Sequence, residues 1–307
     1  MSMPRHHLPV SPSAPTSLVG GLGQRLRQAV SQLPQVTGFA GPALMPGAGR
    51  VIAVAAQKGG VGKTTTAVHL AAALASQHGQ RVLLVDLDNQ GHVVSSLRGH
   101  LRSAATVTVS QVLLAQDPDL CQTALPTTVP QLFVTGADKQ LAQTEALLAG
   151  RMGRETQLAR ALQQARRQYD VIVLDCPPNL GLLTLNGLFA ADWVLVPCDL
   201  SVLALEGVDD LMGTLQNLQL VFGKCPQLLG ILHTRVDKRN AKQNAAIRRA
   251  MADRYQGLTL QTEIGTNTAL PAAQLSGETI FAHAPDSTGS RDYAALATEV
   301  LSKVIPR

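Results

Sequence analysis

The sequence predicts an α/β fold with a doubly wound, mostly parallel sheet and helices on both of its faces. Short, continuous apolar runs alternate with segments of helical periodicity, which is typical of parallel strands buried on both sides. A glycine-rich turn joins the first apolar run to the first helical segment. Acidic residues end two later runs, at the strand ends where such sheets bind ligands.

The elements follow in chain order. The first apolar run leads into a helical segment at residues 64–79, and a second helical segment at 154–168 precedes the fourth run. Because each run is short and predominantly apolar, a buried strand is the expected structure. The predicted strands lie at residues 51–56, 81–88, 129–137, 169–178, 191–199 and 226–237.

The domain organisation predicted is a flexible leader, residues 1–49, followed by one domain, residues 50–307. The leader is rich in Pro, Gly, Ala and Ser. Within it, apolar residues recur every three or four positions and would share one face of a short helix ended by Pro34. That helix packs on the domain or docks another protein. The stripe comprises Leu18, Leu22, Leu26, Val30 and Leu33.

The composition of the chain indicates which classes of binding partner and which cellular compartment to expect. The net charge of +5 permits attraction to the phosphates of nucleic acid or of anionic lipid. Aromatic residues make up only 3%, too few to stack the bases of a single strand, so backbone contact with duplex DNA is the better expectation. Four scattered cysteines form no zinc motif, and no apolar run is long enough for a secretory signal or a membrane span. We expect a soluble, cytoplasmic protein.

The segment QKGGVGKTTT, residues 57–66, carries a phosphate-binding loop at a strand-to-helix junction. Successive backbone N–H groups and the helix N-terminus form an anion cradle there. Lys63 would contact the β- and γ-phosphates, and the Thr64 hydroxyl would ligate Mg²⁺. Gln57 replaces the usual first glycine, and an additional lysine follows it. The predicted nucleotide-binding residues are Lys58, Gly59, Gly60, Val61, Gly62, Lys63, Thr64 and Thr65.

Three carboxylates complete the predicted site. Asp175 ends an apolar strand, where a carboxylate can hold Mg²⁺ through its hydration shell. Asp86 and Asp88 end another strand and, two residues apart, project the same way. One of this pair would orient the attacking water or take its proton, and the other would support the metal or the loop that follows.

Several strings in order, from "KGGVGKTT" and "DLDNQG" through "DCPPNLGLLTLNGL" and "VLVPCDLSVLALEGVDDL" to "PDSTGSRDYAALATEVL", resemble the deviant Walker A ATPases of the ParA/MinD group. The similarity is greatest to ParA/Soj-type partition proteins and spans residues 50–303. It implies a P-loop NTPase fold of the deviant Walker A type, with ATP and Mg²⁺ as ligands and slow hydrolysis without a partner.

The resemblance also assigns roles. Lys58 matches the lysine that reaches the partner subunit's nucleotide in an ATP-sandwiched homodimer. Asp88 matches the aspartate needed for hydrolysis, and Asp86 then takes a supporting role. The implied catalytic residues are Lys58, Lys63, Asp86 and Asp88, and the implied metal ligands are Thr64, Asp88 and Asp175.

The function that the resemblance implies is segregation of a chromosome or plasmid. Similar proteins bind non-specific double-stranded DNA as ATP dimers in the nucleoid, and a ParB-like centromere-binding partner stimulates hydrolysis and release. Here the segment 235–254 is basic, and on a helix Ile247, Met251 and Tyr255 would face inward. An ordinary solvated helix face is the alternative. The DNA-binding candidates are Arg235, Arg239, Lys242, Arg248 and Arg249.

Three features depart from that family. The family usually has Asp-Pro-Gln where this chain has Asp88-Asn89-Gln90. Asn89 thus replaces the proline, and the turn after Asp88 loses the fixed φ of that residue. The segment EIGTNTALPAA lacks the "PRN" string commonly found there, which affects contacts near the base. The leader of about fifty residues exceeds the minimal chromosomal form.

Other members of the superfamily remain as alternatives. A MinD-like positioning ATPase would be recruited to membranes by a basic amphipathic C-terminal helix, whereas this chain ends YAALATEVLSKVIPR, so no membrane is expected. A regulator of cellulose synthesis or flagellar number, without a DNA cargo, is a further alternative. The cysteines do not support an iron–sulfur reductase, and three tyrosines do not support a tyrosine kinase.

Overall fold

The structure of the protein is a computed structural model that describes residues 47–305, apart from the side chains of residues 202, 203 and 243. Nearly all of the predicted leader, with its leucine stripe, lies outside the described residues.

One eight-stranded sheet organises the described chain, in the order β3-β4-β2-β5-β1-β6-β7-β8. Every neighbouring pair is parallel except β3 and β4. The strands are β1 Arg50–Val54, β2 Val82–Asp86, β3 Ala124–Pro126, β4 Leu132–Thr135, β5 Val171–Asp175, β6 Trp193–Asp199, β7 Gln227–Val236 and β8 Thr259–Gly265.

Helices connect the strands and cover both faces of the sheet. In the described part of the chain they are α1 Lys63–Ser76, α2 His92–Leu97, α3 Val109–Leu114, α4 Leu141–Ala149, α5 Gln157–Ala161, α6 Ala165–Gln168, α7 Leu182–Ala190, α8 Val202–Phe222, α9 Ala241–Arg254, α10 Ala269–Ser276, α11 Ile280–His283 and α12 Thr288–Val304.

The core explains why the centre of the sheet is rigid. Ile52 and Val54 of β1 pack in one cluster with α1 and α12, and the alternate residues Val51 and Ala53 are fully buried as well. Helix α1 is buried continuously over residues 66–75, where five alanines allow close approach to the sheet. The loop between β1 and α1 is therefore held at both ends by close-packed elements.

The predicted fold class is confirmed, and all six predicted strands are present. Two edge strands were not predicted: β3 has only three residues, and the sequence of β8, TLQTEIG, is largely polar. The predicted continuous helix at 154–168 is wrong. It is a 3-10 turn followed by α5 and α6, because the N–H groups of Gln163 and Arg167 bond to the carbonyls three residues back.

Candidate nucleotide-binding site

The loop between β1 and α1 leaves the carboxyl end of a central strand, with β5 and β6 on either side. Gly60 and Gly62 have left-handed φ angles of 76° and 88°, which residues with a Cβ rarely adopt. Gly62 also caps α1, and its carbonyl accepts a 2.8 Å hydrogen bond from the Thr66 N–H. The first N–H groups of a helix have no carbonyl partner within it, so this end of α1 is suited to attract an anion.

Lys63 opens α1 and is 8% exposed. Its Nζ donates to the Lys58 carbonyl at 3.2 Å, so the side chain lies back across the loop. Burial lowers the pKa of Lys63, and the carboxylates of Asp175 and Asp88 oppose that shift. The loop thus presents a poorly solvated ammonium group, which interacts strongly with a bound phosphate.

Asp86 and Asp175 end the adjacent strands β2 and β5 in direct register, and each is 1% exposed. Burial raises the pKa of Asp175 well above its ordinary value, and the neighbouring Asp86 carboxylate raises it further. The Thr64 hydroxyl and the Lys63 ammonium group partly oppose that rise, and neither carboxylate oxygen of Asp175 has a further hydrogen bond among the described residues. A buried carboxylate with so few partners is costly.

A bound magnesium ion would neutralise the buried carboxylate of Asp175. Asp175 and Thr64 supply oxygen atoms of the kind Mg²⁺ prefers, beside a loop suited to phosphate. Within residues 47–305 no group of three or more His, Cys, Asp or Glu side chains could hold a metal alone. Asp175 and Thr64 fit a Mg²⁺ ion that takes its remaining ligands from water and phosphate.

Asp86 supports the turn that carries Asp88. Its two carboxylate oxygens accept hydrogen bonds from the N–H groups of Asp88 at 3.0 Å and Val93 at 3.3 Å. Burial raises the pKa of Asp86, and these two bonds oppose that rise. Asp88 is only half-buried and accepts from the Gln90 N–H at 3.1 Å. The more exposed Asp88 is thus the carboxylate that reaches the cleft.

Two adjoining pockets lie along the loop and share Gly60, Gly62, Thr65 and Gln274. We call them the loop pocket and the side pocket. The loop pocket is about 320 Å³ and is lined by the phosphate-binding loop together with Lys63, Thr64 and Asp88. The side pocket is about 280 Å³, and its lining includes Thr234, Arg235, Ile264, Asn267, Pro271 and Tyr293.

The structure brings most of the predicted nucleotide-binding residues together in the loop pocket: Gly59, Gly60, Gly62, Lys63, Thr64 and Thr65, with Asp88. Val61 is buried instead, and its carbonyl accepts a 2.8 Å hydrogen bond from the Thr234 hydroxyl. Lys58 does not line this pocket, since its ammonium group lies beside Asp199 at the end of β6.

Sequence reasoning missed four residues of the loop pocket. Gln90 and His92 follow β2, and Pro178 follows β5, so the rule that ligands bind at the carboxyl ends of strands would have found them. Gln274 comes from the distant α10, and no pattern in the sequence indicates its position.

The basic segment forms α9, preceded by a 3-10 turn at Lys238–Asn240. As predicted, Ile247, Met251 and Tyr255 are buried, while Lys242 and Arg249 are exposed. The other candidates have partners. Arg248 pairs with Glu263 at 2.6 Å, Arg239 pairs with Asp237 at 2.7 Å, and Arg235 donates to the Gly60 carbonyl at 3.0 Å.

A parallel sheet, a glycine-rich loop entering a buried helix, a buried lysine and a carboxylate at the next strand tip define a P-loop nucleotide-binding protein. A family model described as an AAA domain matches residues 49–225. The sporulation initiation inhibitor protein Soj of Bacillus subtilis is 39% identical, covering 82% of this chain and 98% of its own. The chromosome-partitioning ATPase Soj of Thermus thermophilus is 41% identical, with 83% and 96% covered. The chain belongs to the ParA/Soj family of partitioning ATPases.

Solved structures agree with this assignment. A protein described as cobyrinic acid a,c-diamide synthase from Mycobacterium smegmatis, with a bound ATP analogue and magnesium, superposes with a TM-score of 0.70. It is 38% identical, and the match covers 83% of this chain and 95% of that one. The cell division ATPase MinD of Pyrococcus furiosus, 22% identical with a TM-score of 0.67, shares the fold. The predicted family resemblance is confirmed.

Proposed function

We propose that this protein is an ATP-driven DNA-partitioning ATPase: an ATP-bound dimer holds non-specific DNA, and hydrolysis releases it. The observation that carries the proposal is the path of β7. Thr234 and Arg235, near the end of this strand, line the side pocket, and the chain then passes through Val236 and a 3-10 turn into the basic helix α9. A few residues of the chain thus separate the nucleotide pocket from the cationic surface.

ATP and Mg²⁺ are the proposed ligands. Lys63 and the loop glycines would hold the phosphates, and Thr64, Asp88 and Asp175 would hold the metal directly or through water. Bound Mg²⁺ supplies charge neutralisation on the phosphates during hydrolysis. The buried carboxylate of Asp175 beside the Thr64 hydroxyl, and the buried Lys63 ammonium group, support this arrangement.

Hydrolysis is assigned to Asp88, which would orient the attacking water. Asp86 fixes the turn that carries Asp88, as its hydrogen bonds to the Asp88 and Val93 N–H groups indicate. Lys63 stabilises the charge on the transferred phosphate, and Lys58 of one subunit would reach the nucleotide of the other.

The proposed DNA-binding surface is α9, which would hold non-specific DNA through contacts with its phosphates. Lys242 and Arg249 are exposed on this helix, opposite its buried apolar face. Arg239 and Arg248 are partly neutralised by their acidic partners, so they contribute less attraction than the sequence alone predicts. Two such helices in a dimer would multiply a weak electrostatic contact.

The proposed partner is a ParB-like centromere-binding protein that stimulates hydrolysis, and the proposed location is the nucleoid in the cytoplasm. The Thermus thermophilus relative, described as a chromosome-partitioning ATPase, supports this part of the proposal.

Membrane recruitment of the MinD kind is the weaker candidate. The apolar face of α12, with Tyr293, Leu296 and Val300, is buried in the core and thus already occupied. Within the described residues no helix is long and apolar enough to cross a membrane.

The proposed function is tested by titrating a random-sequence duplex with the purified chain in ATP, in ADP and without nucleotide, at two salt concentrations. Arg249→Glu is the test variant. Arg167→Glu is its control, an exposed arginine on α6, just before the central strand β5. Each lost phosphate contact lowers the slope of log affinity against log salt by about 0.9.

Binding that requires ATP, weakens with salt and is lost only in Arg249→Glu supports the proposal. Binding to anionic liposomes in ATP, with no DNA binding in any nucleotide state, would replace it with the membrane function. Equal loss in both variants would mean that net charge, and not α9, holds the DNA.

A further inference from the structure

Two carboxylates that pair with arginines of the basic segment line the same cleft. Asp237 and Glu263 both lie in the wall of a cleft of about 460 Å³, between the end of β7, the edge strand β8 and the start of α12. Asp292 adds a third carboxylate to its lining, and Lys238 adds one ammonium group. The candidate DNA surface therefore lies beside a cleft with mainly acidic walls.

The two ion pairs differ in what they connect. Asp237 and Arg239 are two residues apart at the 3-10 turn, and the Arg239 side chain is 86% exposed, so this pair is local and open to water. Glu263 lies on β8 and Arg248 lies on α9, so the second pair joins a strand to the basic helix. An exposed local pair contributes little. The pair of Arg248 with Glu263 is thus the one that can hold a side chain of α9 in place.

Glu263 binds the guanidinium group of Arg248 at two points. The Arg248 Nε donates to Oε1 of Glu263 at 2.6 Å, and its Nη2 donates to Oε2 at 2.7 Å. Arginine binds a phosphate group through the same kind of paired hydrogen bonds. Glu263 therefore occupies an edge of the guanidinium group that a DNA phosphate could otherwise bind.

Arg248 lies at the border of the exposed face of α9. Ile247, on one side of it in the sequence, is buried, and Arg249, on the other side, is exposed. The side chains of Arg248 and Glu263 are 37% and 30% exposed, so water reaches the pair and its separation costs little. Once separated from Glu263, the long side chain of Arg248 can reach the surface that carries Arg249.

We propose that Glu263 competes with DNA for Arg248, and that this competition limits the affinity of α9 for the phosphates of duplex DNA. The inference rests on the proposed function. It assigns a role in DNA affinity to an acidic residue that lines neither the loop pocket nor the side pocket.

Three variants isolate the competition. Glu263→Gln removes the negative charge and keeps the size of the side chain, so Arg248 becomes available to a phosphate. Glu263→Gln combined with Arg248→Gln removes the released arginine as well. Glu155→Gln is the matched control, because it makes the same change in net charge as Glu263→Gln, at the surface pair with Arg154 just before α5.

The measurement is titration of a random-sequence duplex with each protein at saturating ATP, over a series of salt concentrations. Glu263→Gln should bind about fivefold more tightly than the wild type at about 0.1 M salt, because one more phosphate contact releases one more counterion. The slope of log affinity against log salt should steepen by about 0.9 for each subunit on the DNA. The double variant should return both quantities to the wild-type values, and Glu155→Gln should change neither, since salt screens a distant charge.

Unchanged DNA affinity in Glu263→Gln overturns the proposal. Weaker binding also overturns it, since the ion pair would then serve to position α9. A gain that persists in the double variant, or that Glu155→Gln reproduces, would show that net charge is responsible and that Arg248 is not.

The same titrations separate this proposal from the partition function. A wild-type protein that binds ATP but no duplex would refute the partition function. If Glu263→Gln then bound the duplex and the double variant did not, the competition for Arg248 would still be supported. Absence of binding in every variant would overturn both proposals.

Discussion

The ammonium group of Lys58 lies 2.9 Å from Oδ2 of Asp199, so the extra lysine of the phosphate-binding loop is paired within its own chain. It also donates to the Ser201 hydroxyl at 3.0 Å. Ser201 in turn donates to Asp199 at 2.6 Å and caps α8 by accepting the Ala204 N–H. If Lys58 is to reach another subunit, it must first leave these partners.

Asp199→Asn should therefore favour the dimer. The pair is partly exposed, with 32% of the Lys58 side chain and 23% of the Asp199 side chain accessible, so we expect a small gain of about two- to fivefold in dimer affinity. Sedimentation across a range of a non-hydrolysable ATP analogue measures it. Glu155→Gln, which removes the partner of Arg154 at the surface, is the control. A weaker dimer would mean that Asp199 instead holds Lys58 in its active orientation.

The two lysines of the loop should have separable effects. Lys63→Ala removes the buried ammonium group that faces the loop pocket, and we expect nucleotide affinity to fall about 10- to 100-fold. Lys58→Ala should bind nucleotide nearly normally as a monomer and lose the ATP-dependent dimer. Calorimetry and sedimentation on the same samples distinguish the two. If both variants lose nucleotide equally, Lys58 acts within its own subunit.

Asp88→Ala should separate binding from hydrolysis. Asp88 lines the loop pocket and is less buried than Asp86, whose oxygens are taken by the Asp88 and Val93 N–H groups. We expect the variant to bind ATP and dimerise while phosphate release falls about 100-fold or more. Asn89→Ala, at the next residue of the same turn, should keep its hydrolysis. Normal phosphate release from Asp88→Ala would show that another group orients the water.

The fold was predictable from the sequence where each strand is buried on both faces. The runs around Val51, Val82 and Ile172 are apolar throughout, and the order of strand and helix then restricts the topology. The edge strand β8 was not predictable in this way, because Gln261 and Glu263 interrupt its apolar pattern. Its place in the sheet depends on pairing with β7 and on packing against α12, two elements that lie far apart in the sequence.

The site was predictable to the extent that its residues belong to one continuous motif. Lys63, Thr64 and the glycines lie in one loop, and Asp175 lies at a strand tip. Gln274 and Thr234 reach the same pockets from other elements, so only the packed structure reveals them. For the basic segment, the positive charges were evident from the sequence. Their pairing with Asp237 and Glu263, which neutralises two of them, was not predictable.

His69 should make stability depend on pH. It is 3% exposed on the buried helix α1, near the rings of Phe281 and Tyr293, and its Nδ1 accepts the Ile280 N–H at 3.4 Å. Burial lowers the pKa of His69 to about 3. Above the ordinary histidine pKa of about 6.5 the ring is neutral in both states, so it imposes no penalty. Below it the unfolded chain binds a proton that the folded chain does not, and stability falls as pH decreases toward 3.

From pH 6 to pH 5 this one residue should lower the free energy of unfolding by about 1 kcal/mol. His69→Gln keeps an acceptor for the Ile280 N–H and cannot titrate, so its urea midpoint should fall less than that of the wild type over the same interval. His92→Gln, at an exposed position, should keep the wild-type dependence. Identical slopes in all three proteins would show that other groups determine the loss of stability in acid.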